Sequence, residues 1–188
     1  MINVQRLKPK KCKLCKEDFQ PTRPMQVACC PDHAIKLAEQ KRQRVERKDT
    51  KARLLLIKPR SQLLKEAQAE FNGYIRERDA DEPCISCGRH HQGQWHAGHY
   101  LSTGARPELR FNELNVHKQC QPCNTHLHGN LILYRVALIQ KIGLDKVEWL
   151  EGPHEAAKYS RNDLLKITAE YRVKRRELIR MRKAGDAA

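Results

Sequence analysis

Aromatic and apolar residues are scarce in this sequence. Of its 188 residues only 5% are aromatic and 39% apolar, while 31% are charged, which excludes a large hydrophobic core. No apolar run is long enough to cross a membrane, and the N-terminal stretch M-I-N-V-Q-R-L-K-P-K-K lacks the apolar segment of a signal peptide. We therefore expect a cytoplasmic protein with no membrane partner.

Eight cysteines are present in this polar sequence, and their spacing favours metal binding. Two Cys-x-x-Cys pairs, Cys84/Cys87 and Cys120/Cys123, suit one tetrahedral zinc ion, because each pair presents two sulfurs from one short turn. Disulfides are the competing use, but they need an oxidising compartment. We predict a structural zinc site that compensates for the small core.

A second zinc site is predicted near the N-terminus. Cys12 and Cys15 form another Cys-x-x-Cys pair, and His33 follows at a spacing known from small zinc fingers. The remaining ligand is either Cys29 or Cys30, since both lie at an allowed distance from His33 in the sequence. The two predicted sites call for two zinc ions.

The net charge of +15 is concentrated at the two ends of the chain. Residues 1–60 carry 17 Lys and Arg against 6 Asp and Glu, residues 161–184 carry 9 against 3, and residues 61–160 carry 11 against 12. Basic ends around a near-neutral centre are typical of proteins that contact nucleic-acid phosphates. We predict DNA as partner, and the predicted contact residues are Lys8, Lys10, Lys11, Lys13, Arg172, Arg175 and Arg176.

The predicted fold class is α+β, in four segments. Helical periodicity and end signals predict four helices after residue 60, while Gly and Pro in 88–107 predict turns and short strands. The helices are one capped by Ser61, one that starts at Cys123 and stops at Gly143, one from Leu144 to Glu151, and one capped by Ser160 and Asp163. The segments are a zinc finger at 8–33, a basic helical linker at 34–60, a zinc-stapled central domain at 61–158 and a basic helix at 159–188.

The linker is predicted to be a solvated helix, because it lacks Gly and Pro before Pro59 and has only a thin apolar stripe. A coiled-coil dimer arm is the alternative. Lys41 and Lys48 interrupt its seam and so argue against it.

A zinc ion on the central cysteines would tie both ends of the intervening segment together, which predicts a β-hairpin with His99 near the end of its first strand. The helix predicted to start at Cys123 would place Asn124 and His128 on one face. Imidazole and amide groups around one divalent cation and a water suit phosphodiester hydrolysis, with His99 as general base. A backbone carbonyl on its other ring nitrogen would keep that imidazole neutral and aimed.

The motifs W-H-A-G-H-Y, N-E-L-N-V-H-K-Q-C-Q-P-C-N and C-I-S-C-G-R resemble the zinc-stabilised HNH, or His-Me finger, nucleases. From K-P-K-K-C-K-L-C through W-L-E-G-P-H and the basic tail, the chain is similar to the phage recombination family NinG, also called Rap. Its central layout is similar to phage endonuclease VII. The resemblance implies a ββα-metal core, a host bacterial cytoplasm as location, and endonuclease activity on branched DNA such as Holliday junctions and D-loops.

The resemblance also implies roles for single residues. His99 matches the general base of the motif, and Asn115 matches the residue that braces the loop holding that base. Asn124 matches a ligand of the catalytic metal, and His128 matches a further ligand position of some branches. His99, Asn115 and Asn124 are therefore the predicted catalytic residues.

One position departs from the pattern of these nucleases. The acidic metal ligand before the first histidine is replaced by Gly98, and His96 is the nearest substitute. Loss of the carboxylate weakens binding of Mg²⁺ and favours Mn²⁺. The alternative function is a non-catalytic zinc-finger protein that binds branched DNA or recruits recombination partners. A homodimer would suit a symmetric junction in either case.

Overall fold

The computed structural model describes residues 7–185, which fall into two compact units that divide between Lys58 and Pro59. The predicted linker is therefore the helix of the first unit. The predicted C-terminal segment at 159–188 is not separate, because its helix belongs to the second unit. Among the helices of residues 7–185, none has the length and hydropathy of a membrane span.

The first unit consists of a short hairpin and one long helix. Strands β1 (Lys10–Lys11) and β2 (Asp18–Phe19) are antiparallel. Helix α1 (Pro31–Ile57) begins with Pro31 at its first position, where the missing N–H costs nothing. It ends just before Pro59, which disfavours helical backbone in the preceding residue. No residue of α1 is buried, as expected for a solvated helix.

Two long helices form the frame of the second unit. Helix α2 (Arg60–Arg78) packs along α5 (Arg161–Gly185), and their apolar faces enclose two connected core clusters. The buried residues of these clusters are Leu63, Ala67, Leu164, Phe71, Ile75, Tyr171 and Val116. Val116 lies on the hairpin, so the same core also fixes the hairpin against α2.

The predicted central hairpin is present. Strands β3 (Trp95–His99) and β4 (Val116–Cys120) are antiparallel, with His99 opposite Val116 and Trp95 opposite Cys120. His99 is the last residue of β3, as predicted. The mixed α+β class is confirmed, whereas an HNH-type core made of this hairpin and the helix after it stays a prediction.

The prediction of a helix that starts at Cys123 and includes His128 is wrong. A single π-helical turn spans Pro122–His126, and His128 then adopts a left-handed backbone with φ of 47°. Gly129 and Asn130 are also at positive φ, and the amide of Gly129 donates to the carbonyl of Cys123 at 2.9 Å. These residues reverse the chain before the next helix, so the turn cannot continue as a helix.

The ends of the remaining helices follow the sequence signals with one exception. Helix α3 (Leu131–Ile142) stops at Gly143, whose φ is 91°, and α4 (Leu144–Glu151) has the predicted bounds. Before α5, the amide of Ser160 donates to Asp163 Oδ2 at 2.9 Å and the amide of Asp163 donates to Ser160 Oγ at 3.2 Å. This is the predicted reciprocal cap.

The exception is the start of α2. It begins at Arg60, preceded by Pro59 with φ of −59°, and no side chain caps it. Ser61 lies inside the first turn. The predicted Ser61 cap is wrong because Pro59, with a φ close to that of a helix, precedes the first helical residue, so that the helix starts two residues earlier.

Candidate functional site

The four central cysteines form a compact donor set. The Sγ atoms of Cys84, Cys87, Cys120 and Cys123 all lie within 4.8 Å of one another. Three of these residues are buried, and Cys84 Sγ accepts a hydrogen bond from the amide of Cys120 at 3.3 Å. Four thiols at such distances fit a structural zinc ion, so this cluster could hold zinc as predicted. It joins the turn before the hairpin to the end of β4.

The N-terminal cluster resolves the choice between two cysteines. The donor atoms of Cys12, Cys15, Cys29 and His33 lie within 4.8 Å of one another. His33 Nδ1 is 3.0 Å from Cys29 Sγ and 3.7 Å from Cys12 Sγ. Cys30 is instead the residue that precedes helix α1. The cluster that could hold the second zinc ion therefore contains Cys29.

His99 is held by one ring nitrogen. Its Nε2 donates to the carbonyl oxygen of Arg110 at 3.0 Å, which leaves Nδ1 with a lone pair and no hydrogen bond to any described residue. Burial lowers the pKa of His99 below its usual value, and the hydrogen bond to Arg110 opposes this shift only in part. His99 is therefore a neutral imidazole at pH 7 with one nitrogen able to accept a proton.

Asn115 fixes the loop between β3 and β4. Its side chain is fully buried, accepts a hydrogen bond from the amide of Leu101 at 2.8 Å, and donates to the carbonyls of Leu101 at 3.0 Å and Leu109 at 3.2 Å. Leu109 directly precedes Arg110, whose carbonyl holds His99. One amide side chain therefore connects both ends of this loop and controls the position of the partner of His99.

Asn124 and His96 meet at the edge of a cleft. Asn124 Nδ2 is 2.8 Å from His96 Nδ1, and the cleft has a volume of about 460 Å³. Its lining contains no carboxylate and consists of Asn72, Arg76, Gln94, Trp95, His96, Ala97 and Asn124. His128 is exposed and does not line the cleft. Of the three predicted ligands of a catalytic metal, two are thus brought together and the third is not.

The wall of the cleft opposite β3 comes from α2. Gln68, Asn72 and Arg76 are four residues apart and so share one face of the helix. Gln68 Nε2 donates to Asn72 Oδ1 at 2.7 Å, and Gln68 Oε1 accepts from Arg110 Nη1 at 3.1 Å. Arg110 links this row to His99, because its side chain donates to Gln68 and its carbonyl accepts from His99. His99 also lies on the same face of β3 as Ala97, which lines the cleft, because the two residues are two apart on a strand.

Sequence reasoning missed this row of polar residues. Burial and the nearby Arg175 lower the pKa of Arg76, whose side chain makes no ion pair with any residue of the described range 7–185. A half-buried guanidinium without a carboxylate partner is free to bind an anion. The four-residue spacing of Gln68, Asn72 and Arg76 was the only signal available, and it is equally typical of a solvated helix face.

The residues of α5 that are predicted to contact DNA differ in whether they already pair with a carboxylate of the protein. Arg172 Nη2 lies 2.7 Å from Glu70 Oε1, and Arg175 Nη2 lies 3.8 Å from Glu77 Oε1, so both are paired with carboxylates of α2. Arg176 is exposed. The two paired arginines hold α5 against α2 in addition to any contact with a ligand.

Most of the lysines of the first unit that are predicted to contact DNA are exposed to solvent. Lys8, Lys11 and Lys13 are exposed, whereas Lys10 donates from Nζ to the carbonyl of Pro24. The N-terminal cluster thus presents three solvated cations beside its donor set.

These features define a mixed α+β protein with a four-cysteine cluster and a Cys₃His cluster that could each hold zinc, and with a separate polar cleft beside a half-buried histidine. The family model described as Bacteriophage Lambda NinG protein matches residues 4–181, and the chain belongs to the NinG family. The protein named Protein ninG of Escherichia phage 933W is 44% identical over 187 residues, covering 90% of this chain and 93% of that protein.

Two further relatives carry the same name. Those of Salmonella phage P22 and Escherichia phage lambda are each 43% identical over 182 residues, covering 87% of this chain and 90% and 89% of the respective relatives. No solved structure matches the chain.

Proposed function

We propose that this protein is a metal-dependent endonuclease that hydrolyses phosphodiester bonds in branched DNA. The observation that carries the proposal is the state of His99. Its Nε2 is fixed on the carbonyl of Arg110, and burial keeps its pKa below the usual value of a histidine. Nδ1 can therefore take a proton from an attacking water at neutral pH, which is the task of a general base.

The loop around His99 supports this role. Asn115 makes three side-chain hydrogen bonds to the loop that carries Arg110, so the carbonyl that orients His99 is itself held in place. Hydrogen bonds to the residues that hold a catalytic group keep the position of that group fixed to within fractions of an ångström. A histidine in a zinc module that only binds DNA has no need of this arrangement.

The cleft next to His99 offers groups that suit a phosphate. Arg76 supplies an unpaired guanidinium, and the amides of Asn72 and Asn124 lie at the same cleft. Hydrogen bonds from a guanidinium to phosphate are among the strong ones in proteins, and they gain from partial burial. Arg76 would hold the phosphate at which His99 directs the water.

The donors at the cleft set limits on the catalytic ion. Asn124 is held through Nδ2 by His96, while its Oδ1 has no hydrogen bond to a described residue. Asn124 Oδ1 is thus the better ligand, and His96 orients it. Neutral donors without a carboxylate suit Mn²⁺ more than Mg²⁺. When bound beside a phosphate, the ion would neutralise charge developing on that phosphate and on the leaving oxygen.

The choice of branched DNA as substrate rests on the resemblance to His-Me finger nucleases and to the NinG recombination family, together with the two basic ends of the chain. Recruitment to such DNA without cleavage is the competing function. The two functions share DNA binding and differ only in what His99 and the cleft do.

The test compares the wild-type chain with His99→Ala on a labelled four-way junction. A positioned general base contributes roughly 10²- to 10⁴-fold to a rate, so we expect cleavage by His99→Ala to fall by at least about 100-fold. Binding of the junction, measured in chelator by a mobility shift, should not change. His90→Ala is the matched control, because His90 is exposed in the loop before β3.

Two results would overturn the proposal. One is cleavage by His99→Ala at the wild-type rate, and the other is absence of wild-type cleavage across a titration of both Mg²⁺ and Mn²⁺. The second result, with junction binding intact, would establish the non-catalytic function.

A further inference from the structure

Helix α1 has an unusual surface for its length. It spans 27 residues, from Pro31 to Ile57, and none of them is buried. Its sequence contains no aromatic residue. Only its first turns contact the other described residues of its unit, through half-buried His33 and Leu37, so most of the helix gains no stability from a core and its surface composition is free to serve another purpose.

The charges of α1 are segregated around its axis. With about 100° between successive residues, six basic residues fall within an arc of about 140° that contains no acidic residue. This basic face consists of Lys36, Lys41, Arg44, Arg47, Lys48 and Lys51. The other side of the helix is a mixed face, on which acidic residues alternate with arginines. The mixed face consists of Glu39, Arg42, Glu46, Asp49 and Arg53.

The two faces differ in how their charges are balanced. On the mixed face, Arg42 is four residues from Glu46, and Asp49 is four residues from Arg53, so opposite charges are neighbours. The six side chains of the basic face are all exposed, and none makes an ion pair or a side-chain hydrogen bond with another described residue. Six like charges side by side repel one another, and this cost is relieved when a polyanion binds.

We propose that the basic face of α1 binds the phosphate backbone of a DNA duplex, an inference that rests on the proposed function in taking DNA as the ligand. From Lys36 to Lys51 the helix rises about 22 Å, since each residue adds about 1.5 Å. Phosphates follow at about 3.4 Å along each strand of B-DNA, so the face extends beside roughly six base pairs. The major groove is wide enough to admit a helix.

Other anionic ligands fit the surface less well. Single-stranded nucleic acid is bound by stacking on aromatic side chains, and α1 has none. A membrane surface needs a broad apolar face opposite the charges, but the stripe beside the basic face is mainly alanine. That stripe consists of Ala34, Ala38, Val45, Ala52 and Leu56. The other exposed apolar residues at the end of the helix, Leu54, Leu55 and Ile57, point in three different directions around its axis and do not widen it. The backbone of a duplex requires only closely spaced cations, which is what the basic face offers.

The experiment uses the full chain carrying His99→Ala, so that DNA is bound and not cut, and a fluorescein-labelled duplex of 30 base pairs. In this background, R44Q/R47Q removes two charges from the basic face and R42Q/R53Q removes two from the mixed face. The two pairs change the same residue type in the same helix and lower the net charge equally. Gln has nearly the helix propensity of Arg, and circular dichroism verifies that helix content is kept.

We expect R44Q/R47Q to weaken duplex binding at 0.1 M salt by up to about 60-fold. Each lost phosphate contact lowers the slope of log K against log salt by about 0.9, so two contacts lower it by about 1.8. R42Q/R53Q should leave the slope within about 0.3 of the parent. Equal effects of the two pairs, or no effect of either, would overturn the proposal.

Two further measurements separate the ligands and the hypotheses. Loss of binding to vesicles of phosphatidylcholine and phosphatidylserine by R44Q/R47Q, with duplex binding unchanged, would assign the face to membranes and overturn the proposal. If the chain without the His99 change cleaves no DNA but R44Q/R47Q still reduces the salt slope, the nuclease function fails while the assignment of the basic face holds.

Discussion

Replacement of Asn115 by alanine separates the positioning of the candidate base from the stability of the fold. The change removes three hydrogen bonds and leaves the amide and the carbonyl of Leu101 without a partner, whereas the carbonyl of Leu109 still accepts from the amide of Asn112 at 3.1 Å. A buried polar group left unpaired costs about 1–3 kcal/mol, so for these two groups we expect roughly 2–6 kcal/mol of destabilisation. This is a large part of the 5–15 kcal/mol that stabilises a typical domain.

The effect on cleavage should exceed the effect of stability alone. Without Asn115 the loop that carries Arg110 is free to shift, and misplacement by about 1 Å can cost about 100-fold in rate. The assay is junction cleavage at a temperature well below the unfolding midpoint of each variant. We expect a loss of about 100-fold for Asn115→Ala under conditions where circular dichroism shows it to be folded.

The control is a variant that destabilises the fold to a similar degree away from the loop. Leu164→Ala opens a cavity between α2 and α5, where Leu164 is fully buried, and such changes cost about 2–5 kcal/mol. Its cleavage rate in the folded state should be that of the wild type. Wild-type cleavage by folded Asn115→Ala, or an equal loss in Leu164→Ala, would refute a positioning role for Asn115.

Three other outcomes are expected. Cys120→Ser should reduce the zinc content measured by atomic absorption from two ions per chain to one and should lower the unfolding midpoint, because the central cluster loses a ligand. Burial and the nearby Arg78 lower the pKa of His117 to about 3, so the free energy of unfolding should decrease by about 1.4 kcal/mol per pH unit as the pH falls below about 6.5; a value independent of pH in urea titrations would contradict this. Arg76→Gln should lower kcat/KM for cleavage by roughly 10- to 150-fold, the equivalent of one hydrogen bond to a charged group, with Arg89→Gln in an exposed turn as control.

The metal clusters and most helix ends could be predicted because their signals are local. Cys-x-x-Cys pairs bring two donors together within a single turn, and the Ser160–Asp163 cap joins residues three apart. The hairpin followed from the same logic, since two pairs joined to one ion must enclose a segment that returns. Each of these features depends on chain spacing and hardly on the rest of the fold.

Features set by contacts across the fold could not be predicted. The π-helical turn at Pro122–His126 ends where Gly129 and Asn130 reverse the chain, and Asn130 Nδ2 donates to Cys123 Sγ at 3.6 Å. The polar row of α2 became part of the candidate site because α2 packs beside β3, which places Asn72 and Arg76 in the cleft, and because Arg110, far away in the sequence, reaches Gln68. Periodicity describes which face of a helix is polar, and it does not describe what lies opposite that face.

Gly98 shows how packing explains a departure from a motif. A Cβ at this position would lie 2.1 Å from Gln119 Oε1 and 3.0 Å from Gln119 Cβ. Gln119 is fully buried, and its Nε2 donates at 2.6 Å to Ser86 Oγ and at 2.6 Å to the carbonyl of Gly129, the residue at which the chain reverses before α3.

Gln119 cannot move away without breaking the contacts that hold this reversal, so only glycine fits beside it. The space that a side chain would occupy at position 98 is thus already filled by Gln119, which fixes the chain reversal that follows the turn carrying Asn124. A catalytic ion of the kind proposed above would therefore have to be held by the cleft donors His96 and Asn124, because the packing of Gln119 leaves no room for a side chain at position 98.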